Sequence, residues 1–282
     1  MNGPRRHCPG VSAFSIAFGA VLAVYVFFIV GILVADFLYL AGTPLGRQQF
    51  VESLGNPEVR HAVWVSLWTS TVSALIGVSI AVPAGYILSR GRFPGVRLLD
   101  ALIDVPIILP PLVFGISLMV LFQRTFVGPL LLAAGLKFVH DPKGIVLVQT
   151  LITTAFGTRM LKATFDGIDP RLAAVAETLG ASRTGAFFSV TLATARKGVV
   201  AALVMIWALS LALYGPVMAF VGATSMRTEV MPTRMFLEMN VARLEAALSM
   251  GLMMIVIAVS VLLVAKLLGG RTVAGLGRIV GR

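Results

Sequence analysis

The stretch that organises this chain is Phe165-Asp-Gly-Ile-Asp-Pro-Arg-Leu-Ala-Ala-Val-Ala-Glu-Thr-Leu-Gly180-Ala-Ser-Arg-Thr184. It lies between two apolar runs, about 144–161 and 199–221. Asp169 is a good helix N-cap. Pro170 suits the first helical position, where its fixed φ is helical and its missing N–H would be unpaired anyway. Leu172 to Leu179 is rich in helix formers, and Gly180 fits the left-handed residue that ends many helices. The spacing predicts a helix of about nine residues, marginal in isolation. Ser182 is placed to cap a second helix through Phe187, Phe188 and Val190.

Composition sets the medium around this loop. Of 282 residues, 58% are hydrophobic and 12% charged, with a mean hydropathy of +0.95. A soluble domain is about 45–50% apolar and about 25% charged, and it cannot hide this much apolar surface. A water-soluble enzyme and a disordered chain are both excluded. Further apolar runs occupy about 11–40, 59–88, 98–122 and 246–268. All six runs are near or above the ~20 residues that cross a bilayer, with 144–161 the shortest. They are continuous rather than alternating, which indicates helices and not a barrel. The first is about twice the length of a signal-peptide core, so an uncleaved span is expected.

Cys8 is the single cysteine. It precedes the first run, unlike a lipoprotein cysteine, and excludes an intrachain disulfide or a cysteine-clustered zinc site. His7, His61 and His140 are far apart and show no metal-binding spacing. With the N-terminus inside, Arg47, Arg60, Arg124, Lys137, Lys143, Arg227, Arg234 and Arg243 fall outside, and the other 15 of the 23 Lys and Arg fall inside. That bias supports six spans with both ends cytoplasmic. It also accounts for the net charge of +11 without nucleic acid, for which no long basic run exists. The expected layout is a cytoplasmic N-terminus at 1–10, a six-span domain at 11–268 with its main cytoplasmic loop at about 162–198, and a cytoplasmic tail at 269–282.

The run Asp169-Pro-x-Leu-x3-Ala176-x2-Leu-Gly180-Ala-Ser, followed by Phe188-x-Val190-Thr-Leu192, resembles the EAA loop of ABC importer permeases, and especially those of the molybdate/tungstate/sulfate group. Arg92-Phe-Pro-Gly-x-Arg-Leu-Leu-Asp-Ala-Leu-x-Asp104 with Leu109-Pro-Pro111, Arg227-Thr-x3-Pro232, and Leu244-Glu-Ala-Ala-Leu248 resemble further segments of that group. Together they cover roughly residues 60–268. The chain departs from the pattern at three places. The Glu-Ala-Ala position reads Ala174-Val175-Ala176, Ala193 stands where proline is usual, and Ala212-Leu-Tyr-Gly215 replaces Gly-Glu-Phe-Gly.

The resemblance implies an all-α integral membrane fold of type I ABC importer permease kind, six transmembrane helices with a cytoplasmic coupling helix, in a bacterial inner membrane. It implies that Asp169, Pro170, Leu172, Ala173, Ala174, Val175, Ala176, Leu179 and Gly180 seat on a cytoplasmic ATPase subunit. The implied assembly is a homodimer in lipid with two ATPase copies and an external substrate-binding protein. No GxxxxGK[ST] phosphate-binding loop exists, so ATP and Mg belong to the partner and this chain is a transport subunit, not an enzyme. It binds no cofactor or metal of its own. The implied solute is a small oxyanion (molybdate, tungstate or sulfate), with polyamine or iron as alternatives within the superfamily. An ion-coupled secondary transporter needs an inverted repeat and intramembrane ion ligands, and neither is visible. A membrane-embedded enzyme needs converging catalytic groups, which the spans do not carry. For the 169–180 helix itself, an interfacial helix lying on lipid is the alternative to docking.

Interruptions and polar groups within spans mark the candidate pathway. Pro106, Pro110, Pro111 and Gly115 break the third span, and Tyr214, Gly215 and Pro216 break the fifth. Gln149, Thr150, Thr153, Thr154 and Ser210 supply neutral hydrogen-bonding groups, suited either to an oxyanion path or to helix packing. Asp100 and Asp104 lie one turn apart near Arg90, Arg92 and Arg97. A local ion pair fixing the helix end is expected, with proton relay as the alternative. Asp36 falls at the outer end of the first span, at the interface. Arg227 to Glu245 is amphipathic and external, either a landing surface for a binding protein or a solvated helix on the bundle.

Overall fold

The computed structural model describes residues 13–270, with side chains described for 16–264. The expected N-terminal segment, Cys8 and nearly all of the tail lie outside the described residues. Among those described, every regular element is helical: α1 Ala13–Gly42, α2 Pro44–Gly55, α3 Pro57–Arg90, α4 Val96–Ile108, α5 Pro111–Arg124, α6 Val127–Ala133, α7 Pro142–Asp166, α8 Arg171–Thr178, α9 Arg183–Ala186, a π-helical turn Phe187–Leu192, α10 Ala193–Ala212, α11 Gly215–Phe220, α12 Met231–Asn240 and α13 Leu244–Gly270.

Several helices start by one rule. Thr43, Asn56 and Asp141 each precede a proline, and their side chains accept from the backbone N–H of Gly46, Glu58 and Lys143. The side chain takes one orphan donor of the first turn, and proline removes the need to satisfy another. The same pairs explain α2, which hydropathy alone does not reveal.

α1, α3, α7, α13 and the continuous run of α9, the π turn and α10 are each long and apolar enough to cross a membrane. The expected third span is not one helix. It is the pair α4 and α5, bent by 109° across Leu109 and Pro110. Pro106, expected to break the span, lies inside α4, which continues to Ile108. Pro110 and Pro111 lack the N–H groups that would continue the ladder, so the chain turns there instead of kinking gently. With this pair counted as one crossing, six result.

The shortest apolar run becomes the centre of the bundle. In one half of α7, buried Ile145, Val148 and Ile152 pack with Leu118 of α5 and Val217 and Phe220 of α11. In its other half, Leu161 and Phe165 pack with Ala74 and Ala81 of α3 and Ala202 and Ile206 of α10. A helix enclosed by protein meets little lipid, so it can carry Gln149, Thr153 and Thr158 where a lipid-facing helix cannot. α1 shows the opposite composition. Val21, Phe27 and Phe28 are more than 60% exposed, and it packs mainly on α2 and α13. Asp36 lies in its second half, one turn before Tyr39, whose hydroxyl donates to Glu245 Oε1 at 3.1 Å.

The bundle has two unlike ends. At one, α2, α12 and the starts of α3 and α13 gather, with Arg234 bridging to Glu58 at 2.7 Å. At the other, Ser89 Oγ donates to Asp166 Oδ1 at 2.6 Å, and Arg90 donates to the carbonyls of Phe165 and Ile168. This second end carries α8.

Candidate functional site

The α8 helix is fixed at both ends by local chemistry. Asp169 Oδ1 accepts from the Arg171 N–H at 2.9 Å. At the exit, the Gly180 N–H reaches Glu177 O at 3.0 Å and the Ala181 N–H reaches Ala176 O at 3.0 Å. These are the paired bonds of a Schellman ending, and Gly180 sits at φ +96°. Ser182 Oγ then accepts from the Gly185 N–H at 3.1 Å and starts the next helix. The face presented outward is not the alanine flank as a whole. Ala173 and Ala176 are half-buried, whereas Leu172, Val175 and Leu179 are exposed, Leu179 by 84%. Ala174 and the backbone of Gly180 are exposed beside them, and Pro170 leads into the turn. The i, i+3, i+7 spacing places the three apolar side chains on one stripe.

Nothing crowds a Cβ added to Gly180, so the backbone alone decides its replacement. Gly180→Val forces a β-branched residue into the left-handed region at a cost of about 1–2 kcal/mol. The expected result is roughly tenfold faster hydrogen exchange at the cap amides of Leu179 to Ala181, with global unfolding unchanged. Equal exchange in the two proteins contradicts this account of the cap.

The two broken spans meet. α5 packs on α11, and a Cβ on Gly115 would stand 2.6 Å from Pro216 Cα and 2.7 Å from its carbonyl oxygen. Leu112, one residue past Pro111, lies against Gly215 at ordinary contact distance. Tyr214 packs its ring on Phe236 of α12 at 5.3 Å between centroids. Thus Pro110, Pro111, Gly115, Tyr214 and Gly215 belong to one region.

The polar candidates belong to another, the seam between α3, α7 and α10. Gln149 Nε2 donates to the Ser210 carbonyl at 2.9 Å, Ser73 Oγ donates to Gln149 Oε1 at 3.0 Å, and the Thr153 and Ser210 hydroxyls lie 3.2 Å apart. At the fifth-span break the Ser210 carbonyl accepts from the Leu213 N–H at 3.3 Å, a three-residue turn in place of the helical bond. Gln149 adds the shorter second bond to that carbonyl in a low-dielectric setting. Thr153 and Ser210 are therefore structural ties rather than free donors. Thr154 faces the gap left by Gly77, whose missing Cβ would lie 3.0 Å from the threonine hydroxyl. The hydroxyls of Thr150, Thr154 and Ser70 are buried without a partner among the described residues.

Asp100 and Asp104 do form an ion cluster, but not with the expected arginines. Arg159 of α7 donates to Asp100 Oδ1 at 2.5 Å, to the Asp100 carbonyl at 2.8 Å and to both carboxylate oxygens of Asp104. Lys162 Nζ reaches Asp100 Oδ2 at 2.9 Å. Arg90 is committed to carbonyls, and Arg92 and Arg97 make no ion pair among the described residues. The reason is the α4–α7 packing, which turns the two acids toward cations about sixty residues away. The legible signal was spacing: acids four apart on one run, cations three apart at the end of another.

At the opposite end, Arg234 of α12 is the hub. It contacts Glu58 at 2.7 Å, Glu229 at 2.9 Å and Glu238 at 3.5 Å. Its side chain is 12% exposed and that of Glu229 4%. Burial opposes the guanidinium charge, but hydrogen bonds to Glu229 and Glu58 outweigh it and raise the pKa above arginine's ordinary value. A cavity of about 500 Å³ beside it is lined in part by Glu52, Glu238, Glu245, Arg234 and Arg243. Within Arg227 to Glu245, Met231–Asn240 forms α12, packed on the bundle and anchored by this buried charge, whereas Arg227 and Val241 to Arg243 are exposed and lie outside any helix.

The chain is 35% identical over 171 residues to the molybdate/tungstate transport system permease protein WtpB of Thermococcus kodakarensis, a match covering 61% of this chain and 64% of that one. It is 31% identical over 233 residues to a probable molybdenum ABC transporter permease protein of Haloferax volcanii, covering 80% and 84%. It is 32% identical over 185 residues to the molybdenum transport system permease protein ModB of Escherichia coli K12, covering 65% and 80%. The matches to the archaeal WtpB relatives span slightly under two thirds of their length. A chain of the crystal structure of a bacterial alginate ABC transporter, in complex with a periplasmic protein carrying an alginate pentasaccharide, shares the fold. Its TM-score is 0.73 at 18% identity, covering 91% of this chain and 94% of that one. A chain of an amino acid ABC transporter shares it at a TM-score of 0.55 and 15% identity, covering 80% and 94%. Residues 73–273, which take in the broken spans, the α3–α7–α10 seam and α8, match a single family. The chain belongs to the inner membrane components of binding-protein-dependent transport systems.

Proposed function

We propose that this chain is the membrane-spanning subunit of an ABC importer for a small oxyanion, molybdate or tungstate foremost. The observation that carries the reading is α8, a short helix locked at both ends that presents an exposed apolar stripe at one end of the bundle. Its length and exposure suit insertion into a groove of a cytoplasmic partner. Family membership and the named relatives support an ATPase as that partner and an oxyanion as the solute. Both termini then lie on the cytoplasmic side with α8, and α2, α12 and the acid-rich cavity lie outside, where a substrate-binding protein lands.

Two copies of the chain form the pore about a twofold axis along the membrane normal. Two ATPase subunits seat on the two α8 helices and supply ATP and Mg. ATP-driven closure of those subunits draws the α8 helices together, and the spans rotate to face outward. The external protein releases its ligand, and hydrolysis restores the inward state. No covalent bond is made or broken on this chain. The α5–α11 crossing is the gate, since it joins both helix breaks. The unpartnered hydroxyls of Thr150, Thr154 and Ser70 are neutral donors of the kind a hydrated oxyanion needs when it leaves water.

The test is affinity purification of the tagged chain in mild detergent with its genetic neighbours expressed. A stoichiometric ATPase is expected with the wild type. Ala174→Trp, which places bulk on the exposed face, is expected to lose the ATPase while inserting and folding normally. Equal retention by that variant refutes docking through α8. Homogeneous particles without any ATPase in several detergents shift the reading to a secondary transporter. Uptake of labelled molybdate, competed by tungstate and not by polyamine, tests the solute.

A further inference from the structure

Beyond the transport reading, we infer that the cavity between α3, α4 and the α9–π segment binds an anionic phospholipid. The cavity measures about 810 Å³, within the range of about 300–1,000 Å³ typical of small-ligand sites. Its floor is aromatic: Tyr86 packs edge-on to Phe187 with centroids 4.7 Å apart. Its mouth carries Ile87 and Phe93, exposed by 46% and 40%. Ile87 lies on the last turn of α3 and Phe93 three residues past its end, so the two straddle the level at which acyl chains meet headgroups.

The rim is cationic and uncompensated. Arg90 and Arg183 line the cavity, and no carboxylate does. Arg90 is held by the Phe165 and Ile168 carbonyls. These neutral acceptors fix its position and leave its charge intact. Arg183 is exposed and forms no ion pair among the described residues. Arg90 ends α3, and so marks the level at which a spanning helix leaves the hydrocarbon. A fixed positive rim above an apolar, aromatic slot complements a phosphate headgroup with attached acyl chains. Basic pockets between membrane helices at headgroup level are the usual places for such recognition. A free phosphate has no use for the slot, and a zwitterionic lipid carries its own cation to the rim. The site lies beside the start of α9, three residues past Gly180, so an occupying lipid buttresses the segment that follows α8.

The experiment uses the full-length chain, purified in neutral detergent, stripped of lipid and supplied with phosphatidylglycerol or phosphatidylcholine. Native mass spectrometry counts what is retained. One phosphatidylglycerol per chain is expected, with phosphatidylcholine absent and inorganic phosphate in excess failing to displace the lipid. Arg183→Gln is expected to lower retention about fivefold, the effect of one basic residue at an anionic surface. The Arg183 side chain forms no ion pair among the described residues and is exposed, so the variant folds. Leu99→Trp fills the cavity with both arginines in place, and is also expected to abolish retention. Equal retention of the two lipids, unchanged retention by Arg183→Gln, or complete displacement of the lipid when an ATPase subunit binds would each overturn the assignment.

Discussion

Arg234→Met is expected to cost about 3–5 kcal/mol of stability, the penalty for leaving a buried carboxylate without its partner. Glu229, whose side chain is 4% exposed, loses the guanidinium 2.9 Å away, and Glu58 and Glu238 lose it as well. Three acids then face one another around an apolar side chain, and Arg243, 3.7 Å from Glu238 and largely exposed, cannot replace the lost charge. Thermal or SDS unfolding in detergent measures the loss. A second substitution separates charge from packing. Adding Glu229→Gln to Arg234→Met removes the most deeply buried acid and is expected to restore a substantial part of the stability. If the double variant is no more stable than the single one, the cost lies in lost packing of the arginine stem and not in an orphaned charge.

Gly115→Val is the second large effect. Its Cβ would stand 2.6 Å from Pro216 Cα and 2.7 Å from Pro216 O, and these are backbone atoms that no rotamer change can move aside. α5 must lift from α11, at about 1–3 kcal/mol for forced overpacking. The functional loss is expected to exceed what that figure implies. The crossing joins the two helix breaks, and its geometry is what a gate must repeat in each cycle. Uptake is expected to fall to background while the variant still retains its ATPase, because α8 lies at the other end of the bundle. Gly115→Ala is expected to be intermediate. Uptake at the wild-type rate by Gly115→Val, at equal membrane abundance, removes the α5–α11 crossing from the pathway.

Local features transferred well from sequence to structure. Asp169-Pro170 and Gly180 specify the start and end of α8 through caps that involve only neighbouring residues. Ser182 acts in the same way. The breaks at Pro110-Pro111 and Tyr214-Gly215-Pro216 were legible because clustered proline and glycine interrupt the helical ladder, whereas the single prolines Pro83 and Pro106 stay inside α3 and α4. The size of the α4–α5 bend was not, since 109° depends on where α7 and α11 hold the two halves. The weakness of the run at 144–161 had a tertiary cause: α7 is enclosed by other helices and need not be uniformly apolar. Asp100 and Asp104 show the same limit from the other side. Sequence proximity pointed to Arg90, Arg92 and Arg97, whereas packing supplied Arg159 and Lys162.

By itself, the sequence determined the apolar medium, the runs that become the spanning-length helices and the capping of the 169–180 helix. Each follows from composition, run length or capping within a few residues. Only the tertiary structure decided which groups face each other. It set Gly115 against Pro216, tied Gln149 to the Ser210 carbonyl at the fifth-span break, and turned Leu172, Val175 and Leu179 outward while Ala173 and Ala176 face the bundle. The physical reason is one of range. Hydropathy and capping act between near neighbours or between a helix and its solvent. A contact between helices depends on how each rotates about its axis and where it crosses the next, and the whole packed bundle sets these together.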